Sequence, residues 1–311
     1  LRPRYPAALG CRTHALARLF DVLGGALTKQ APELNTASGY GTSPYMLYSG
    51  WDDNGEFFYS MEILYGGIPG RPIGDGMDGH SWWPLFENIP TEYLESYYPL
   101  RIDGYTTVKD SGGPGFHRGG NGVEKRYIYL EPGEVSIHDD RWLTRPWAAL
   151  GGWPGGRSSK LLKRADGTEE ILPSKIDQVE VKPGDMLVYR TAGGGGWKDR
   201  LDRPVDAVER DVSYGLVSAE FAKEGYGVVL GKDGKADIEA TEAERARQLE
   251  ERGPAQSFDF GPPLEDVLAN CKAETGLEPP VPATPLRWSP LEGNEEALER
   301  VRTGDNVPAP S

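Results

Sequence analysis

The chain has 311 residues, 38% of them hydrophobic, with 41 Gly and 26 Pro, and a formal net charge of −14. That length fits one large domain or two ordinary ones, and the acidic balance argues against a nucleic-acid-binding face. No apolar run approaches the ~20 residues a membrane helix needs. Cys11 and Cys271 show no disulfide or zinc spacing and have no neighbouring base, so neither is nominated as a nucleophile. The expected compartment is the cytoplasm, with neither nucleic acid nor membrane as a partner.

The opening stretch LRPRYPAALGC is basic and proline-containing and lacks a methionine, so the chain is expected to start within a longer pattern. Over 11–30, Leu16, Leu19, Phe20 and Leu23 fall at i, i+3, i+4 and i+7, which predicts a helix with one apolar face, weakened near its end by Gly24 and Gly25. A turn-rich loop, NTASGYGTSPY, follows. MLYSGWDDNGEFFYSMEILYGG reads as two strands around a DDNG turn. Residues 66–90 mix Gly, Pro, Asp and Trp without period, the mark of a long ordered loop that carries function. PTEYLESYYPLRIDGYTTVKD predicts a short helix with Thr91 as N-cap and Glu95 near its end, then a strand. From 125 to 190 the pattern is all β, with tight turns at ADGT and KPGD. Two helical pieces lie within 203–230. Residues 231–311 are acidic and Pro-rich, with a charged helix TEAERARQLEERG and a short amphipathic piece PLEDVLANC. They are expected to form a tail that packs on a partner or on the domain surface. The fold class expected is α+β, predominantly antiparallel β, with an N-terminal helix and a helical, acidic C-terminal tail.

Two glycine-dense loops stand out, DSGGPGFHRGGNGVEKR at 110–126 and RTAGGGGWKDRLDRP at 190–204. Glycine is costly to order, so such loops need a reason. One reading is turns with positive φ and tight packing. The other is a backbone nest for an anion, built by Asp110, Ser111, Gly113, Gly194 and Gly195 with Arg118 as a charge clamp. No Gly-Lys-Ser/Thr follows, so neither loop is a P-loop.

GRPIGDGMDGHSWW places Arg71, Asp75, Asp78 and His80 close together, and cleft lining, turn chemistry and metal ligation are all open to it. No metal ligand is nominated in this chain. Glu62 sits in a run that reads as a buried strand, where an unpaired carboxylate is expensive and its pKa tends upward; the alternative is an outward-facing glutamate. Glu62, Asp75 and His80 are expected to converge on one pocket, with one carboxyl kept protonated, the tryptophans at 82 and 83 forming part of its wall, and His80 orienting the pair or relaying the proton. HDDRW, 138–142, reads as a solvated turn, with Asp139, Asp140 and Arg141 lining a cleft as the alternative.

The glycine loops also carry a resemblance. DSGGPGFHRGGNGV resembles the S-G-G-x-G-x-x-R-G-G-x-G signature of the hydantoinase B/oxoprolinase family, and TAGGGGWKDRLDR resembles its T-x-G-G-G-G-[YW]-G-D-P-x-x-R loop. LESYYPLRI and DVSYGLVSAEFAKEGYGVVL are similar to two further family segments, in order, over about residues 1–230. Lys198 stands where the family has Gly, and DRLDRP where it has D-P. The family's N-D-P-Y-x-G-x-H and H-H-A-D segments, which supply a divalent metal site, are not in this sequence. The resemblance therefore implies that residues 1–230 are the C-terminal half of a hydantoinase B-like catalytic domain. It implies as partners a hydantoinase A-like subunit that binds ATP and Mg2+ and phosphorylates a carbonyl or amide oxygen, and the N-terminal half of the B-type subunit, which holds the metal. The expected reaction on the small-molecule substrate is ATP-dependent hydrolysis of a cyclic amide such as a hydantoin, 5-oxoproline or a lactam. The alternatives are carboxylation of a ketone of the acetone or acetophenone type, or a non-catalytic scaffold role in such a complex.

Overall fold

The alternation from residue 45 onward becomes a β-hairpin. β1 (Tyr45–Trp51) pairs with β2 (Phe57–Ile63), Trp51 opposite Phe57, and the Asp52 side chain closes the turn by accepting from the N–H groups of Asn54 and Glu56. This is a computed structural model describing residues 12–82, 87–259 and 261–280. Cys11, Trp83 and residues 281–311 lie outside the described residues. Contacts gather Cys11–Leu277 into one unit, and every element below belongs to it.

α1 (Arg12–Gln30) precedes the hairpin, and Gly24 and Gly25 do not end it. α2 (Thr91–Tyr97) is entered from Pro90, whose carbonyl accepts from Tyr93 and Leu94; Pro90, not Thr91, occupies the cap position, without a side-chain hydrogen bond. Glu95 near its end accepts from the N–H of Ile102. There follow β3 (Leu100–Thr107), β4 (Val123–Tyr129), β5 (Gly133–His138), β6 (Ala148–Ala149), β7 (Ser159–Lys163), β8 (Glu169–Leu172), β9 (Lys175–Val181) and β10 (Met186–Arg190). The chain then turns helical in α3 (Val205–Ser213), α4 (Ala219–Tyr226) and α5 (Ile238–Arg252). The two-residue β11 (Phe258–Asp259) and α6 (Leu264–Thr275) close it.

One sheet has the order β2-β1-β5-β9 and the other β3-β4-β10-β7-β8, with β11-β6 as a small third pair, all antiparallel. Met46, Tyr48, Val135 and Ile137 from the first sheet and Tyr127, Tyr129, Leu162, Leu187 and Tyr189 from the second form one buried cluster. Leu94 of α2 joins it. Burying each of the aliphatic side chains among them contributes about 1.5–3 kcal/mol. The α+β class expected from the sequence is the class observed.

The unit continues through residue 230 to Leu277. α5 lacks an apolar face and is held by polar contacts: Thr241 accepts from the N–H of Val229, Gln248 accepts from Arg200 at 2.6 Å, and Arg245 donates to the Arg203 carbonyl at 2.6 Å. α6 buries Cys271, and its Glu274 pairs with Arg157.

Candidate functional site

Stretches around residues 36–41, 66–80, 110–122, 147–156 and 191–198 lie across one another and exchange backbone hydrogen bonds. Gly70 donates to Gly195, Gly120 to Ile68, Gly113 to Gly194, Gly194 to Gly120, Gly195 to Ser38 and Gly156 to Ser111, all at 2.7–2.8 Å. The glycines are required because the crossings are backbone on backbone. A Cβ on Gly67 would fall inside the van der Waals envelope of the Gly120 carbonyl oxygen, and one on Gly119 inside that of Gly194. Lys198, where the family has Gly, keeps a left-handed backbone with φ +62, and its ammonium lies 4.8 Å from the centre of the Phe116 ring.

An ionic lock sits under this platform. Arg118 grips Asp78 with both terminal nitrogens, at 2.8 and 2.9 Å. Arg203 grips Asp75 the same way, at 2.8 Å twice, and reaches Asp211 at 2.7 Å. Asp211 also stands 3.6 Å from Arg118 Nε, so it joins the two forks. Arg118, Arg203 and Asp211 are all buried. Burial works to raise the pKa of Asp75, but the hydrogen bonds and charge of Arg203, with Arg118 behind it, outweigh burial and hold the carboxyl below its usual value. The His117 ring, 3.6 Å from Asp75, is held below the usual histidine value by burial, which Asp75 only partly offsets.

The residues singled out for an anion nest are placed on this platform. Asp110, at φ +65, accepts from the Ser218 N–H at 2.6 Å. Ser111 is buried, donating to Val108 and accepting from Gly122. The N–H groups of Gly113, Gly194 and Gly195 are all taken by carbonyls, and the Arg118 fork is taken by Asp78. The donors an anion would need are thus occupied by the protein itself. Arg71 lies at the loop's edge and makes a long 3.5 Å contact with the Asp75 carbonyl.

Glu62 is 1% exposed, ion-paired to Lys125, and accepts from the Tyr127 hydroxyl at 2.5 Å. His80 is exposed. Its N–H donates to Gly66, and its Nδ1 lies 2.8 Å from the Ser81 carbonyl oxygen. Among the described residues no hydrogen bond or ion pair joins any two of Glu62, Asp75 and His80. The shared proton expected between the two carboxyls lacks its geometry, because each has its own cation.

Sequence reading missed two further polar clusters. Asp139, in the stretch expected to be a solvated turn, is 1% exposed and paired with buried Lys160, which also donates to Ser158 and Ser174. Arg141, equally buried and at φ +62, donates to Asp21 and Ser38 at 2.5 Å; burial pushes its pKa down to about 10. The pairing is long-range, which is why HDDRW reads locally as a surface turn. The other cluster lies on α1, where His14 meets Thr42 at 2.7 Å. No local pattern signals it. Among the described residues no group of three or more His, Cys, Asp or Glu is arranged to hold a metal ion.

Two antiparallel sheets carrying a platform of crossed glycine loops define a class. Residues 1–200 match the hydantoinase B/oxoprolinase family, and the chain belongs to it. It is 32% identical over 258 residues to the beta chain of the caprolactamase of Pseudomonas jessenii, covering 76% of this chain and 43% of that one. It is 29% identical over 241 residues to the putative B-type chain of a D-/L-hydantoinase from Pseudomonas sp. (strain NS671), covering 77% and 40%. Among solved structures, the ATP-dependent caprolactamase from Pseudomonas jessenii superposes with a TM-score of 0.62 at 30% identity, over 71% of this chain and 40% of that one. Nucleotide-free acetone carboxylase shares the fold, with a TM-score of 0.66 at 22% identity, over 84% and 40%. The chain thus spans about two fifths of the length of these relatives.

Proposed function

We propose that this chain is part of a B-type catalytic subunit of an ATP-dependent hydrolase of cyclic amides. The observation that supports it is the likeness to caprolactamase, in sequence and in structure alike. In this reading a hydantoinase A-like partner binds ATP and Mg2+ and phosphorylates the amide oxygen, which turns a stable carbonyl into one that water can attack. A divalent metal belongs to the remainder of the B-type subunit. The crossed loops of this chain form a rigid floor, and the ionic lock holds residues 66–80 in one conformation.

Of the three candidate catalytic groups, His80 is the most exposed and has no ion-pair partner among the described residues, and this reading gives it the contact with substrate. A carbonyl only accepts, so the contact with Ser81 places the proton on Nδ1 in the neutral ring and leaves Nε2 as a base. Glu62 and Asp75 act structurally, in their ion pairs. The test is turnover by the intact assembly, with ATP, of a panel of lactams, hydantoins and ketones, with and without bicarbonate. Bicarbonate-independent opening of a cyclic amide is expected. His80→Ala is expected to lower kcat by roughly 10²–10⁴-fold, the range of general acid–base catalysis, with an unchanged melting temperature. ATP-driven, bicarbonate-dependent consumption of a ketone would instead favour carboxylation.

A further inference from the structure

α1 is mounted with its apolar side outward. Its inward side is polar or small: Ala17 and Thr28 are buried, His14 meets Thr42, Arg18 donates to the Gly41 carbonyl, and Asp21 accepts from Ser38 at 2.8 Å and from Arg141 at 2.5 Å. Its outward side carries Leu16, Leu19, Leu23 and Leu27, the last three 51%, 52% and 57% exposed. The spacing is that of a helix-packing ridge. Orientation is fixed by the specific polar pairs, so the leucines cannot turn inward without leaving Asp21 and Arg141 buried and unpaired.

A second apolar surface lies on the hairpin that the first turn of α1 touches. β2 ends its sheet, and Phe57, Tyr59 and Met61 alternate on the outer side, each about half exposed or more, with Trp51 opposite Phe57. Tyr45 lies on that same side of β1, and the first turn of α1 touches it through Thr13 and His14. A water-exposed surface of this kind is rarely left bare, and an uncovered edge strand invites pairing.

We infer that the outer side of α1, with the outer side of the β1–β2 hairpin, is the seat of the rest of a B-type polypeptide. Relatives of this chain carry more than half of their length outside the part it spans, and that additional polypeptide is the occupant to which these two surfaces are assigned. The inference rests on family membership and not on the reaction, and neither readout below uses turnover.

The probe is a tagged form of this chain, isolated from its source cells, with co-purifying polypeptides sequenced. A B-type polypeptide matching the unspanned part of the relatives is expected at one-to-one stoichiometry. In the variant Leu19→Asp/Leu23→Asp its recovery should fall by roughly tenfold or more, whereas Ile73→Asp, at an exposed residue on neither α1 nor the β1–β2 hairpin, leaves it unchanged. If the occupant is continuous with this chain, the double variant lowers the melting temperature of the long chain by roughly 5 °C or more and Ile73→Asp does not. A chain that purifies alone, a homodimer broken by the double variant, or a companion retained undiminished would each overturn the inference. So would equal melting of the two long-chain variants.

Discussion

The glycine platform and helix α1 use side chains in opposite ways. On the platform the chain has discarded side chains so that backbones cross at contact distance, and specificity lies in carbonyl-to-amide bonds and an arginine–aspartate lock. On α1 the side chains are large and apolar, yet the polar ones face the protein and the leucines face away. An amphipathic pattern in a sequence says that a helix has two sides; it does not say which side its own domain takes.

The comparison is broken most directly at the lock. Arg203→Ala leaves Asp75 and Asp211 without their shared cation and is expected to cost about 3–5 kcal/mol in urea unfolding. Arg203→Lys should recover only part of this, because a point charge cannot serve two carboxylates as a fork does. A cost below about 1 kcal/mol would show that the platform stands without its lock. Next comes Gly67→Ala, whose methyl group meets the Gly120 carbonyl. It is expected to cost about 3 kcal/mol, the upper range of overpacking, with loss of the cooperative transition if the crossing opens.

Acid should weaken both regions more gently. Asp75 has a folded pKa below its unfolded value, so its contribution is present above the unfolded pKa and is lost as pH falls through the lower folded one. His117 and His14 are also shifted down, chiefly by burial, so the unfolded chain binds their protons first and stability begins to decline below about pH 6.5. Melting temperature measured from pH 8 to 3 should therefore fall in two stages. Asp75→Asn should flatten the later one. The smallest effect is at Gly24, inside α1, where a Cβ would meet nothing within 4 Å. Gly24→Ala should stabilise by about 0.5–1 kcal/mol. The same chemical change that overpacks the platform improves the helix.

Much of the fold was legible because it is local. Alternation gives β1, β2 and β7 to β10, and Asp52 closing its own turn is a signal four residues long. The glycine loops were legible as a family signature and as places where backbone must come close. Their partners were not, since Arg203 and Asp75 are 128 residues apart and nothing in either neighbourhood names the other. Glu62 was readable as a buried carboxylate, but the lysine that neutralises it lies on β4. For the same reason Asp139 and Arg141 read as surface residues and are interior ones.

The order of crossings in the platform carries a kinetic consequence. Residues 36–41 are bonded to 66–70, those to 118–120, and all of them to 191–198. The platform is incomplete until the last of these segments is available, so during synthesis the amides and carbonyls of the earlier loops that pair with residues 191–198 stay bonded to water until that segment emerges. Contacts spanning this much sequence are slow to form. Refolding of the platform is thus expected to trail formation of the β1–β2 hairpin, and a nascent chain halted before residue 191 lacks the segment that ties the other crossings together.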